Sequence, residues 1–433
     1  MVDYITYILF GSLIILLILG VPIAFSLAIA TLLGLLVTDI PLIYLAETAF
    51  SGADIFPLIA IPGFILAGHL MLKSGITKSI IDVVLELVGN FPGGLAIVTI
   101  FSCMFFAAIS GSGPATVAAI GSIMIPAMCE ADYPIEFAAA VACTGGTLGI
   151  LIPPSNPMIM YGVSANVSIS ALFLAGMLPG IILALILAAT CYVVGKKKGY
   201  RGTGKKFSIY RLFRGVYYGK WALVTPVIVL GGIYAGYVTP TEGSIVAVLY
   251  ALFVGVIIYR SLSFKDIYES LVATSVMTGA ILIIMGPACA FGKLLTIYEI
   301  PTQIAESILS FSTNWVIVFM LINIFLIFVG TFMETLATIV LLTPVLLPAL
   351  TSVGVHPIHF GILLVVTSEV GFLTPPLGVN LYVASSLTGL TIEKIARAVL
   401  LFIVVLFAVI VLYTLFPQIS LFGEWFFRMS LTN

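Results

Sequence analysis

Charge is scarce in this sequence. Of 433 residues, 8% are Asp, Glu, Lys or Arg, while 61% are hydrophobic. A soluble globular chain carries about 25% charged residues, so most of this surface faces lipid. A soluble enzyme, a nucleic-acid binder and a disordered regulator are excluded on that ground. The balance of 17 basic and 18 acidic residues gives no bias toward polyanions. The five cysteines (Cys103, Cys129, Cys143, Cys191, Cys289) lack CxxC spacing and read as buried thiols. The three histidines (His69, His356, His359) have no metal-binding spacing. Paired aspartates and a Ser–His arrangement at membrane depth are also missing, which argues against an intramembrane enzyme. Met1-Val2-Asp3-Tyr4 leads straight into an apolar run without a basic region or cleavage site, so it reads as a first span.

The sequence is otherwise made of continuous apolar runs, many near the ~20 residues that span a bilayer. They do not alternate as barrel strands do. The expected fold class is an all-α polytopic membrane protein. It has ten crossing helices, near 4–20, 22–37, 56–72, 135–163, 172–194, 222–238, 243–259, 268–297, 357–388 and 396–416. Two further stretches, 95–130 and 314–350, read as re-entrant hairpins.

The basic residues test this count. Lys196, Lys197, Lys198, Arg201, Lys205, Lys206, Arg211, Arg214 and Lys220 are nine of the 17, which makes 196–220 a cytoplasmic linker. Counting outward puts Lys73, Lys78, Arg260, Lys265, Lys394 and Arg397 on the same side. Only Lys293 and Arg428 fall opposite, and both termini lie on that outer side. This holds only if neither hairpin crosses. Gly199-Tyr-Arg-Gly-Thr-Gly204-Lys205-Lys206 nearly matches a phosphate loop, but Lys206 replaces the Ser or Thr and no strand precedes it, so no ATP is expected to bind.

The second half repeats the first at an offset of 222. Gly149-Ile-Leu-Ile-Pro153-Pro154 recurs as Gly371-Phe-Leu-Thr-Pro375-Pro376, Met124–Met128 as Leu346–Leu350, and Thr116 as Thr338. Five crossings per copy is an odd number, so the copies are inverted. The expected units are 1–195 and 221–433, joined by the linker.

Polar residues gather where these helices break. Two successive prolines remove two backbone donors and free upstream carbonyls. Such a break survives in hydrocarbon only against protein, water or an ion. The candidates fall in four places. The first hairpin tip holds Ser110, Gly111, Ser112, Gly113, Pro114 and Thr116. The first break holds Thr144, Thr147, Gly149, Pro153, Pro154, Ser155 and Asn156. The second tip holds Gly330, Thr331, Met333, Glu334 and Thr335. The second break holds Thr367, Ser368, Glu369, Gly371, Thr374, Pro375, Pro376 and Asn380. Hydroxyls, carbonyls and amides are hard ligands that suit Na⁺. The paired design suits alternating access better than a channel. Glu334 and Glu369 are the only carboxylates near these breaks, and a charge at mid-membrane reads as functional. Glu242, in Thr239-Pro-Thr-Glu242, reads as a helix cap. No Lys or Arg occurs from 79 to 195 or from 294 to 393, so an anionic substrate would rely on helix N-termini, hydroxyls and bound cations.

At these motifs the chain resembles the large membrane subunit of tripartite ATP-independent periplasmic (TRAP) transporters. The resemblance rests on Gly20-Val-Pro-Ile-Ala24, Gly111–Thr116, Gly149–Ser155, Thr239–Glu242, Gly330–Glu334 and Gly371–Asn380, and covers nearly the whole chain. It implies uptake of an organic acid, such as sialic acid or a C4-dicarboxylate, driven by Na⁺ through an elevator motion, with scaffold helices at about 1–90 and 221–310 and hairpin plus transport helices at about 91–195 and 311–416. It implies no other cofactor. It also implies a bacterial inner-membrane location, a small four-span membrane subunit (Q type) and a soluble periplasmic binding protein (P type). The small subunit is expected as a separate chain. The alternative is a self-sufficient sodium–carboxylate symporter of related fold.

Overall fold

The computed structural model describes residues 2–200, 202, 208–312 and 314–423. Arg201, Thr203, Gly204, Lys205, Lys206 and Arg428 lie outside the described residues. The phosphate-loop-like run and part of the basic count fall there.

The described residues form helices. The first half contains α1 (Val2–Ile18), α2 (Ile23–Leu36), α3 (Ile43–Ala53), α4 (Ala60–Lys73) and α5 (Ile76–Val88). It continues with α6 (Gly94–Ser110), α7 (Gly113–Glu130), α8 (Ile135–Gly146), α9 (Leu148–Leu151), α10 (Asn156–Ser164) and α11 (Ile169–Lys198). The second half contains α12 (Ile209–Tyr234), α13 (Pro240–Leu252), α14 (Phe264–Ile297), α15 (Ile300–Phe311) and α16 (Trp315–Gly330). It ends with α17 (Thr335–Ser352), α18 (Pro357–Phe372), α19 (Val379–Thr388) and α20 (Ile392–Leu415). Seven described helices are long and apolar enough to cross a membrane, or nine if each of two bent pairs counts as one span. The chain is a multi-pass membrane protein.

Several elements differ from the sequence reading. The helices α5 and α15 were expected as connections. Each mixes apolar and polar residues at helical spacing, and α5 buries Ile76, Ile80, Ile81, Val83 and Val84 while Lys78 and Asp82 stay off the core. The linker 196–220 is largely helical, because α11 runs to Lys198 and α12 starts at Ile209. The hairpin halves α7 and α17 are each 18 residues and apolar enough to span by length alone, so shortness does not mark them as re-entrant.

The positions of their ends do. The Gly93 N–H before α6 donates to the Tyr200 carbonyl at 3.0 Å, and the Tyr133 ring after α7 lies 4.6 Å from the Tyr200 ring. Both ends of the first hairpin therefore reach one end of the molecule. Glu86 pairs with Arg211 there at 3.0 Å, and Lys73 pairs with Asp266 at 3.5 Å and with Glu269. At the other end Phe319, early in α16, stacks edge-on against His359, which follows α17 by a short turn, at 5.2 Å. His359 Nδ1 also lies 2.6 Å from Ser420 Oγ. Tyr161 in α10 reaches the Pro357 carbonyl beside this root, and the 30 residues of α11 then lead from the end of α10 to Tyr200 at the first root, so the second hairpin enters from the opposite end to the first.

Local chemistry explains the interruptions. Gly111 adopts φ +58° and closes α6, as a left-handed glycine does at many helix ends. Helix α8 with α9 stops at Pro153-Pro154, and α10 restarts 42° off its axis with the Ser155 hydroxyl accepting from Met158 N at 3.3 Å. The peptide bond between the two prolines is cis in each break. Thr239 and Glu242 form a reciprocal cap on α13. Glu242 N–H donates to Thr239 Oγ1 at 3.3 Å, and Thr239 N–H donates to Glu242 Oε2 at 2.8 Å. Thr239→Ala is expected to cost about 1 kcal/mol, read as a lower melting temperature in detergent with unchanged helix content.

Candidate functional site

The two halves exchange their short helices. Helix α10 packs on α17 and α18, while α19 packs on α7 and α8. Tyr161 Oη in α10 donates to the Pro357 carbonyl at 2.6 Å. Asn380 in α19 donates through Nδ2 to the Cys143 carbonyl at 3.2 Å. Each tip is tied to the break of its own half. Asn156 N–H donates to Gly111 O at 3.4 Å, and Leu377 N–H to Thr331 O at 3.0 Å.

This interlocking encloses a cavity of about 430 Å³. Its walls include Gly111, Ser112, Gly113 and Pro114 of the first tip, Asn156 of the first break, Glu334 and Thr335 of the second tip, and Phe372 and Val379 flanking the second break. Ile65 and His69 of α4, and Met277, Ala280, Ile281 and Ile284 of α14, complete it. The sequence reading missed these helix faces. His69 carried the one available signal, an ionisable side chain inside an apolar helix.

Other predicted residues form the layer behind. Thr116 is buried, donates to Ser112 O at 2.8 Å and sits 3.0 Å from Ser110 Oγ. Thr338 repeats that bond with Glu334 O at 3.1 Å. The hydroxyls of Thr144, Thr147, Thr331, Thr367, Ser368 and Thr374 each donate to a carbonyl about one helical turn back. A hydroxyl that donates this way keeps its oxygen lone pairs for a cation. Gly149 lies against the Ser112 carbonyl, and Gly371 against Gly330. Pro153 and Pro154 are buried, whereas Pro375 and Pro376 are exposed, so the two breaks differ in access. Met333 is half-buried beside the second tip.

The carboxylates take different positions. Glu334 sits at the N-cap position of α17, where the helix dipole favours a negative charge, and it lines the cavity. Glu369 is 2% exposed, and among the described residues neither of its oxygens has a hydrogen-bond partner. A Cβ placed on Gly113 would lie 3.3 Å from both oxygens, so the carboxylate faces the first turn of α7. Asn156 Oδ1, Asn380 Oδ1 and Thr335 Oγ1 are also buried without partners among the described residues. A buried carboxylate and buried oxygen ligands without partners suit a hard cation. Among the described residues, no three His, Cys, Asp or Glu side chains gather as a soft-metal site would need.

A family profile described as "Tripartite ATP-independent periplasmic transporter, DctM component" matches residues 10–419. The isethionate TRAP transporter permease protein DctMQ of Oleidesulfovibrio alaskensis is 45% identical over 416 residues, covering 96% of this chain and 66% of that protein. The C4-dicarboxylate TRAP transporter large permease protein DctM of Rhodobacter capsulatus is 38% identical, covering 96% of this chain and 97% of its own. The sialic acid TRAP transporter large permease protein SiaM of Vibrio cholerae is 38% identical, with 93% and 94% covered. Among solved structures, the YdaH transporter of Alcanivorax borkumensis aligns with TM-score 0.61 at 13% identity over 88% of this chain and 90% of its own. That likeness concerns the fold alone.

Proposed function

The chain belongs to the DctM component family of tripartite ATP-independent periplasmic transporters, and from that premise we propose that it carries an organic acid inward by Na⁺-coupled alternating access. The acid is a C4-dicarboxylate, sialic acid or a similar carboxylate, as the names of its relatives indicate. The observation that carries this reading is the shared cavity. Both hairpin tips, entering from opposite ends, meet there beside a buried carboxylate without a partner. The four polar breaks would hold Na⁺ through carbonyls, hydroxyls and Glu369. The cations would supply the positive charge that Lys and Arg do not, since among the described residues neither lines the cavity.

Two inverted repeats of five crossings and one hairpin account for the opposed hairpins. Roughly 1–90 and 221–310 act as scaffold, and roughly 91–195 and 311–416 as the moving part of an elevator. The partners are a small four-span membrane subunit and a soluble binding protein that delivers the acid on the periplasmic side, where both termini lie. The membrane is the bacterial inner membrane. The names of the relatives do not favour a self-sufficient symporter.

Vesicles containing this chain, the small subunit, the binding protein and an inward Na⁺ gradient are expected to accumulate the acid. Omission of any one abolishes uptake. Uptake that persists without the binding protein or without Na⁺ overturns the proposal. Ser112→Ala removes one neutral oxygen ligand, worth about 1 kcal/mol. It is expected to raise the Na⁺ concentration for half-maximal uptake severalfold without loss of the protein from the membrane.

A further inference from the structure

The start of α12 has a character that transport does not require. Residues 209–217 and 219–234 form a pair bent by 63°. If the second part crosses the bilayer, the first lies close to the membrane plane. Its inner side packs on α5, where Gly215 and Gly219 approach Val83 and Arg211 pairs with Glu86. Its outer side exposes Ile209, Tyr210, Phe213 and Tyr217, with Phe213 68% and Tyr217 65% accessible. At 100° per residue these positions form one stripe, with Arg214 at its edge. Lys196, Lys197 and Lys198 are all exposed at the end of α11. Lys220 caps the segment, its Nζ 4.1 Å from the Tyr217 ring centre.

Basic residues alone would mark only the side of the membrane. A basic helix that also presents an aromatic stripe along the bilayer plane has the geometry of an interfacial anchor. The rings suit the boundary between headgroups and acyl chains, and the ammonium and guanidinium groups suit lipid phosphates. Glu86, an acidic group in contact with this segment, is engaged by Arg211.

We propose that residues 209–217, with Lys196–Lys198, Arg214 and Lys220, form a docking surface for anionic phospholipid in the leaflet on the basic side. The lipid would hold the start of α12 in place.

Trp221 adjoins this surface and serves as a reporter. The full chain carrying Trp315→Phe and Trp425→Phe retains Trp221 alone. It is reconstituted in vesicles containing brominated phosphatidylglycerol or, at equal mole fraction, brominated phosphatidylcholine. Each nearby cationic side chain contributes about 1 kcal/mol of attraction to anionic lipid, so quenching by the glycerol lipid is expected to exceed the other at least about twofold. Lys196→Gln, Lys197→Gln, Lys198→Gln and Arg214→Gln together should erase the difference. If that variant does not fold, the three exposed lysine substitutions alone should reduce it. Arg260→Gln with Lys265→Gln, on the same side but away from the stripe, should leave it intact. Equal quenching in the parent, as neutral lipid or a covering protein would give, overturns the proposal. So does a loss of preference in the Arg260/Lys265 control as large as in the cluster variant.

Discussion

Glu369→Gln is expected to abolish Na⁺-driven uptake. The carboxylate is buried, and no described residue donates to either oxygen. Its charge is balanced only by what enters the site. Removing one partner of a buried ion pair costs about 3–5 kcal/mol, or roughly two to three and a half decades of affinity at about 1.4 kcal/mol per decade. The same substitution should not destabilise the protein without Na⁺, since it removes an uncompensated charge and keeps the shape. A melting comparison in Na⁺ and K⁺ tests this directly. A ligand that binds the folded state raises stability with its concentration. The parent should therefore melt higher in Na⁺ than in K⁺, and Glu369→Gln should melt alike in both. A Na⁺-dependent shift equal to the parent's would remove Glu369 from the site.

The second large effect is steric. A Cβ on Gly371 would collide with the carbonyl of Gly330, and a Cβ on Gly149 would lie 2.5 Å from the carbonyl oxygen of Ser112. These glycines occupy corresponding positions 222 residues apart, and each lets a broken helix touch a hairpin. Both obstructing atoms are backbone, so no rotamer change relieves the clash. Overpacking of this kind costs about 1–3 kcal/mol and sometimes more. Gly371→Ala and Gly149→Ala should each lower the melting temperature in detergent and unseat a tip from its break, with uptake lost in both. Gly279→Ala is the control, because a Cβ there meets nothing within 4 Å and alanine is the better helix former. Melting of all three alanine variants at the parent temperature would show that the close approaches do not matter.

The breaks and tips were legible because Gly and Pro punctuate helices wherever they fall. The expected hairpins, 95–130 and 314–350, differ by only one or two residues from the helices at Gly94–Glu130 and Trp315–Ser352. The Thr239–Glu242 cap was legible for the same local reason. Helices α5 and α15 were not, because a span search counts apolar residues and these short helices interleave theirs with polar ones. The cavity wall from α4 and α14 was also hidden. Which side of an apolar helix faces a distant hairpin depends on long-range packing, and Ile281 and Ile284 look like any membrane leucine or isoleucine in the sequence. The candidate polar residues divide into a lining layer and a supporting layer, a division that spacing along the chain does not encode.

The exchange of α10 and α19 has a consequence for synthesis. Asn156 and Asn380 are 224 residues apart, and each short helix finds its packing partners in the other half. At about 5–20 residues per second the ribosome needs roughly 11–45 s to travel from one to the other. For most of that interval the first double-proline break stands in the bilayer with α17 and α18 incomplete, and α7 and α8 lack α19 until its end. A nascent chain stalled before Val379 would present an open, polar gap to lipid, a state that membrane proteases and insertion factors are suited to detect.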